Sequence, residues 1–209
     1  MGKQEYRIQT YCTIRSRSIR VNGNRFFDAE PSTSLGDFLK AAYRELAVDY
    51  PKFHKMDGLC KAIFIAAELI ARESGPYERH TALLFANRSS SYLSDNRHAH
   101  DIFHADHPVA SPATFVYTLP NIALGEISIR HQLQSENVFF IFDHYLPEFM
   151  VPYANATLED SQPNGGSALC GWAEVTEETC DLLLYRIGTS GQLTHSVEQL
   201  KRLYNEEDE

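Results

Sequence analysis

The fold turns on Tyr117 to His144, YTLPNIALGEISIRHQLQSENVFFIFDH. Thr118, Pro120 and Asn121 supply turn chemistry, and Pro120 is placed to open a helix. Ile122, Ala123, Leu124, Ile127 and Ile129 make that helix apolar on nearly all sides, while Gly125 and Ser128 permit close backbone approach, so it belongs inside. A polar break from Ser135 to Asn137 then leads into Val138 to Phe142, an apolar run of strand length. The run ends at Asp143 and His144, and Pro147 follows where the next helix is to start. Helix, polar break and strand ending in a polar turn form one step of an α/β layer, and such layers place their sites at strand ends.

The flanking sequence continues this pattern. Alternation at Tyr6 to Ile14 and at Ile19 to Phe27 predicts an opening hairpin. Ser34 has the residue type of an N-cap with Asp37 three positions on, and Leu35, Phe38, Leu39, Ala42 and Leu46 follow at helical spacing. A second helix carries Met56, Leu59, Cys60, Ile63, Ala67 and Ile70 on one face and is stopped by Gly75-Pro76. Thr81 to Ala86 reads as a short strand that opens into NRSSSYLSDNRHAHD, a polar surface loop near the functional end of the sheet. Strands at Ala168 to Val175 and Asp181 to Ile187 alternate with helices near Leu146 to Leu158 and Ser196 to Tyr204.

Several of these segments resemble the N-terminal half of the β-ketoacyl synthase family. MDGLCKAIFIAAELIARESG and TALLFANRSSS are similar to the helix and strand that precede its active-site region, and SALCGWAEV carries Gly171 and Glu174 where the family has Gly-x-x-Glu. In that family the strand matching Val138 to Phe142 ends at the acylated cysteine; here the position falls at about Asp143 and His144, and there is no Cys between Cys60 and Cys170. The family takes its catalytic histidines, or a His and an Asn, from a second half that this chain does not reach.

The resemblance implies an α/β fold, a thiolase-like half with a layered mixed β-sheet and helices on its faces. It implies one such domain over residues 1–209, with an acidic tail at 205–209 that is frayed. It further implies a non-catalytic, chain-length-factor-like subunit with no catalytic residue and no cofactor. Such a subunit pairs with a full-length β-ketoacyl synthase in fatty-acid, polyketide or aryl polyene biosynthesis. Pro120, Asn121, Phe139, Phe140 and Phe142 are then the interface or tunnel residues. The expected partners are the ketosynthase and an acyl-carrier protein, with a homodimer through Val138 to Phe142 as the minimum.

Composition bounds these expectations. The 209 residues, 43% of them apolar, suffice for one compact domain with a core. A net charge of −9 excludes a chain built to neutralise phosphate backbones, so no nucleic-acid partner is expected. The basic run IRSRSIRVNGNR gives the hairpin a solvated face. No apolar run reaches the roughly 18 residues of a membrane span, and the start MGKQEYRIQTY lacks a signal core, so the expected location is the cytoplasm with no membrane partner. Cys12, Cys60, Cys170 and Cys180 show no CxxC spacing and read as buried free thiols without catalytic duty.

Two other chemistries compete. His98, His100, His104 and His107, with Asp101 and Asp106, put four imidazoles into RHAHDIFHADH, and on a helix His100, His104 and His107 would share a face. That set would serve a small metal-assisted hydrolase or acyltransferase. Its spacing matches no defined motif, and a polar loop is the reading kept here. The third class is a module that binds an acyl chain or an acyl-carrier protein. Asp143 and His144 could pair as a base, but no nucleophile accompanies them and they read as turn residues.

Overall fold

The computed structural model describes residues 5–103, 111–161 and 166–205. The chain opens with β1 (Arg7–Arg15), β2 (Ser18–Val21) and β3 (Asn24–Asp28), an antiparallel meander. Ser16 and Arg17 both have positive φ (45° and 67°), as do Asn22 and Gly23 (50° and 77°). Two successive left-handed residues make the tight turns whose twist suits a hairpin, so the single strand expected over Ile19 to Phe27 is in fact two.

Helix α1 (Leu35–Leu46) starts where Ser34 Oγ accepts from the Asp37 N–H at 3.1 Å, and it buries the stripe predicted for it. A 3-10 turn at Pro51–Lys55 leads to α2 (Gly58–Ser74), which Asp57 caps by accepting from the Cys60 N–H at 2.8 Å. Strand β4 (Ala82–Asn87) is buried throughout. The loop expected after it folds instead into α3 (Tyr92–Phe103). Asn87 makes this possible: its Oδ1 accepts from the Ser90 N–H (2.9 Å) and its Nδ2 donates to the Ser90 carbonyl (2.8 Å), closing the turn.

There follow α4 (Pro112–Val116), α5 (Ile122–His131), β5 (Asn137–Ile141), α6 (Pro147–Ser161), β6 (Ala168–Val175), β7 (Cys180–Gly188), β8 (Leu193–Thr194) and α7 (Val197–Asn205). Pro147 sits at the first position of its helix, where its missing N–H costs nothing. The sheet runs β3-β2-β1-β7-β6-β4-β5, with β8 on β1. Strands β4, β5 and β6 are parallel, β7 is antiparallel to β6, and β1 is antiparallel to β7.

Helices cover both faces, as the expected fold class requires. One core gathers α1, α2 and α5 against the sheet around Phe38, Phe53, Phe64 and Phe85. The other sets α6 and α7 over Trp172, Tyr185, Leu183 and Leu200. Helix α5 departs from expectation: Ala123, Leu124 and Ile127 are buried, but Ile129 is 60% exposed. The helix lies against α2 beside the last strand, and Ile129 faces away from both. At Gly171 a Cβ would stand 2.2 Å from the Leu183 carbonyl oxygen, so only glycine lets β6 and β7 approach this closely.

Candidate functional site at the β5 edge and the strand ends

The carboxyl ends of the parallel strands open into a cavity of about 410 Å³ lined by Arg88, Asp143, His144, Tyr145, Trp172, Glu174, Asp181, Lys201 and Tyr204. Asp143 and His144 are exposed, in the bend between β5 and α6. Tyr145 lies behind them, its ring 6.1 Å from Trp172 and 4.8 Å from Tyr204, and burial raises its phenol. Glu174 Oε2 accepts from the backbone N–H of Arg88 (2.8 Å) and of Ser89 (3.1 Å). Asp181 is held by Arg15 Nε at 3.0 Å and by the Tyr204 hydroxyl, with the Arg15 guanidinium 4.9 Å above the Tyr204 ring.

Among the described residues, no thiol and no serine or threonine hydroxyl lines this cavity. Cys170 is fully buried inside β6, opposite Tyr185, and burial pushes its thiol up. Cys12 and Cys180 are raised in the same way, each by burial first. Cys60 is raised by burial and by the Asp57 carboxylate beside it. Thiols in such settings are not poised as nucleophiles.

The second feature is β5 itself, the last strand of the sheet. The Leu83 N–H donates to the Glu136 carbonyl and the Phe142 N–H to that of Asn87, so in the parallel ladder Val138 and Phe140 also point their backbone groups at β4. The alternate residues Asn137, Phe139 and Ile141 direct theirs outward. Side chains alternate too: Phe139 packs toward α2 and α5, whereas Phe140 and Phe142 face α6. Phe140 has ring contacts at 5.5 Å with Phe142, 5.0 Å with Phe149 and 5.0 Å with Tyr153.

Exposed apolar side chains lie on this strand and on the helix that follows it. The large exposed hydrophobics of the described chain are Tyr92, Phe103, Phe115, Val116, Leu119, Ile129, Ile141 and Phe149, all from α3 through the first turn of α6. Ile141 is 50% exposed on the strand and Phe149 38% on α6, where its ring meets those of Phe140 and Phe142. The opposite edge, β3, is blunted by the Arg25–Asp28 ion pair at 2.6 Å. Pro120 and Asn121 form the turn that starts α5. The Ser91 hydroxyl donates to the Thr118 carbonyl just before them, which places this turn at the carboxyl end of β4.

His98 and His100 lie on α3, and the His98 ring is 5.6 Å from Phe115; His104 and His107 lie outside the described residues. Among the described residues, no three His, Cys, Asp or Glu side chains gather as a metal site. No helix among them is long and apolar enough to cross a membrane. Sequence reading missed Trp172, Asp181, Lys201 and Tyr204 as cavity residues, since α7 and β7 reach the strand ends only through the fold.

The sequence matches no protein-family model and no curated protein. Solved structures are similar. The ishigamide ketosynthase/chain length factor superposes with a TM-score of 0.61 at 13% identity, over 88% of this chain and 62% of that one. A ketosynthase (ApeO) in complex with its chain length factor (ApeC) from Xenorhabdus doucetiae gives 0.54 at 12% identity, over 90% and 80%. The chain thus spans 62% of the length of the first of these. The chain shares the layered, thiolase-like α/β fold of these ketosynthase and chain length factor structures.

Proposed function

We propose that this chain is a non-catalytic, chain-length-factor-like subunit that pairs with a full-length β-ketoacyl synthase through β5 and its apolar borders. The pairing belongs to fatty-acid, polyketide or aryl polyene biosynthesis in the cytoplasm, with an acyl-carrier protein delivering the chain. The observation that carries the reading is the open β5 edge. Backbone donors and acceptors at Asn137, Phe139 and Ile141 face outward, beside the exposed side chains of Ile141 and of Phe149 on α6. A bare, uncharged edge is an aggregation hazard unless a partner strand covers it. Pro120, Asn121, Phe139, Phe140 and Phe142 form or border the covered surface in this reading. The cavity carries neither thiol nor serine, and the four cysteines are buried, which supports a role that leaves condensation to the partner.

The test is tagged purification from the native host, with mass spectrometry of what accompanies the chain, for the wild type and for Ile141→Pro. Proline at 141 removes one outward N–H and leaves the ladder to β4 intact. Recovery of a full-length ketosynthase with the wild type and its loss with Ile141→Pro is the expected result. A wild-type chain that emerges alone and carries a stoichiometric metal would overturn the reading.

A further inference from the structure

The turn that leaves β4 surrounds a carboxylate supplied from another strand. Glu174, a buried residue near the end of β6, places Oε2 2.8 Å from the Arg88 N–H and 3.1 Å from the Ser89 N–H, and its Oε1 accepts from the Ser89 hydroxyl. Successive backbone N–H groups converging on one oxygen make an anion-binding nest, the device loops use to hold phosphate or carboxylate. The rest of the turn closes without Glu174: Asn87 brackets Ser90 through both ends of its amide, and the Ser91 hydroxyl donates to the Thr118 carbonyl. The carboxylate therefore fills a site that the backbone has already shaped.

We propose that Arg88 and Ser89 form a carboxylate-binding nest, occupied in cis by Glu174, which positions the start of α3. The ligand class is a small monoanionic carboxylate. A negative oxygen suits it because bonds from N–H and O–H donors to a charged acceptor are roughly twice as strong as neutral ones. Glutamine at 174 would keep the shape but lose the charge and turn one acceptor into a donor. The nest anchors more than the turn. Helix α3 begins three residues after Ser89, exposes Tyr92, and through Ser94 Oγ donates to Asp57, the cap of α2, at 2.8 Å. Its bearing on partner pairing rests on the function proposed above; the carboxylate site itself does not.

The experiment measures amide hydrogen exchange across residues 88–95 in the wild type, Glu174→Ala and Glu174→Gln. Losing charge-assisted bonds should speed exchange there by about tenfold to a hundredfold in both variants. Acetate or formate should restore Glu174→Ala in a saturable way. Sodium chloride at equal ionic strength should not, and Glu174→Gln should stay unrestored because its amide still fills the nest. Wild-type exchange in Glu174→Gln would overturn the proposal whether or not the alanine variant folds. So would a folded Glu174→Ala that is indifferent to acetate. Ketosynthase co-purification by Glu174→Ala, with and without acetate, reads the pairing separately: a restored turn with no partner counts against the proposed function and leaves the nest standing.

Discussion

His195 shows at the scale of one residue how burial becomes a solution property. It is 6% exposed, its Nδ1 lies 3.0 Å from Asn155 Oδ1, and its ring is 5.7 Å from that of Tyr185. Burial lowers its pKa to about 4. The unfolded chain takes up this proton near the ordinary value of 6.5, so between pH 6.5 and 4 the unfolded state binds more protons, and stability falls as pH falls. The full loss, reached below pH 4, is about 3 kcal/mol. Urea unfolding at pH 7, 5.5 and 4 should show that decline in the wild type and a flatter profile in His195→Gln; equal slopes would refute the assignment. Nothing in the local sequence marks this histidine, because Asn155 on α6 and Tyr185 on β7 meet it from distant positions. Gly171 and Glu174 were legible as a motif, but their jobs, admitting the β7 backbone and filling a nest, were not.

At the scale of elements, capping chemistry was the most readable signal. Ser34 starts α1 as predicted. The Asn22-Gly23 dipeptide carried a turn signal that the apolar alternation around it masked, and α3 escaped because its polarity resembles a loop. How α5 is fastened was also hidden, since it needs two helices in register. Glu68 on α2, 7% exposed, meets Arg130 through two contacts at 2.9 and 3.1 Å, and His131 at 2.9 Å. Burial alone would raise the Glu68 carboxyl, but hydrogen bonds from His131 and Arg130 outweigh it and hold the group at about 2. Arg130→Ala leaves this buried carboxylate with His131 alone and should destabilise the fold by about 3 kcal/mol at pH 7. The deficit should shrink as pH falls, because the variant's carboxylate takes up a proton at higher pH than the wild-type group held at about 2. Adding Glu68→Gln should recover part of it, and a double-mutant cycle with strictly additive costs would rule out the clamp.

The whole molecule has two cores divided by one sheet, and local sequence could not reveal that division. The pairing of β1 with β7 joins Arg7 to Gly188 and Ile14 to Leu182, contacts that no window of neighbouring residues encodes. Alternation showed only that each strand has two faces. The shared sheet makes a single cooperative unit the expectation, because neither helical layer keeps its apolar surface covered once β1, β7, β6 and β4 separate. The lone tryptophan, Trp172, is 3% exposed on the α6 and α7 side and reports on that layer alone. Leu39 is fully buried on α1 in the opposite layer. Leu39→Ala should cost about 2–5 kcal/mol. If the chain is one domain, the denaturation midpoint seen by Trp172 fluorescence should shift by the same amount as that seen by far-ultraviolet circular dichroism. A tryptophan transition that stays in place while the dichroism transition moves would divide the molecule into two independently stable layers.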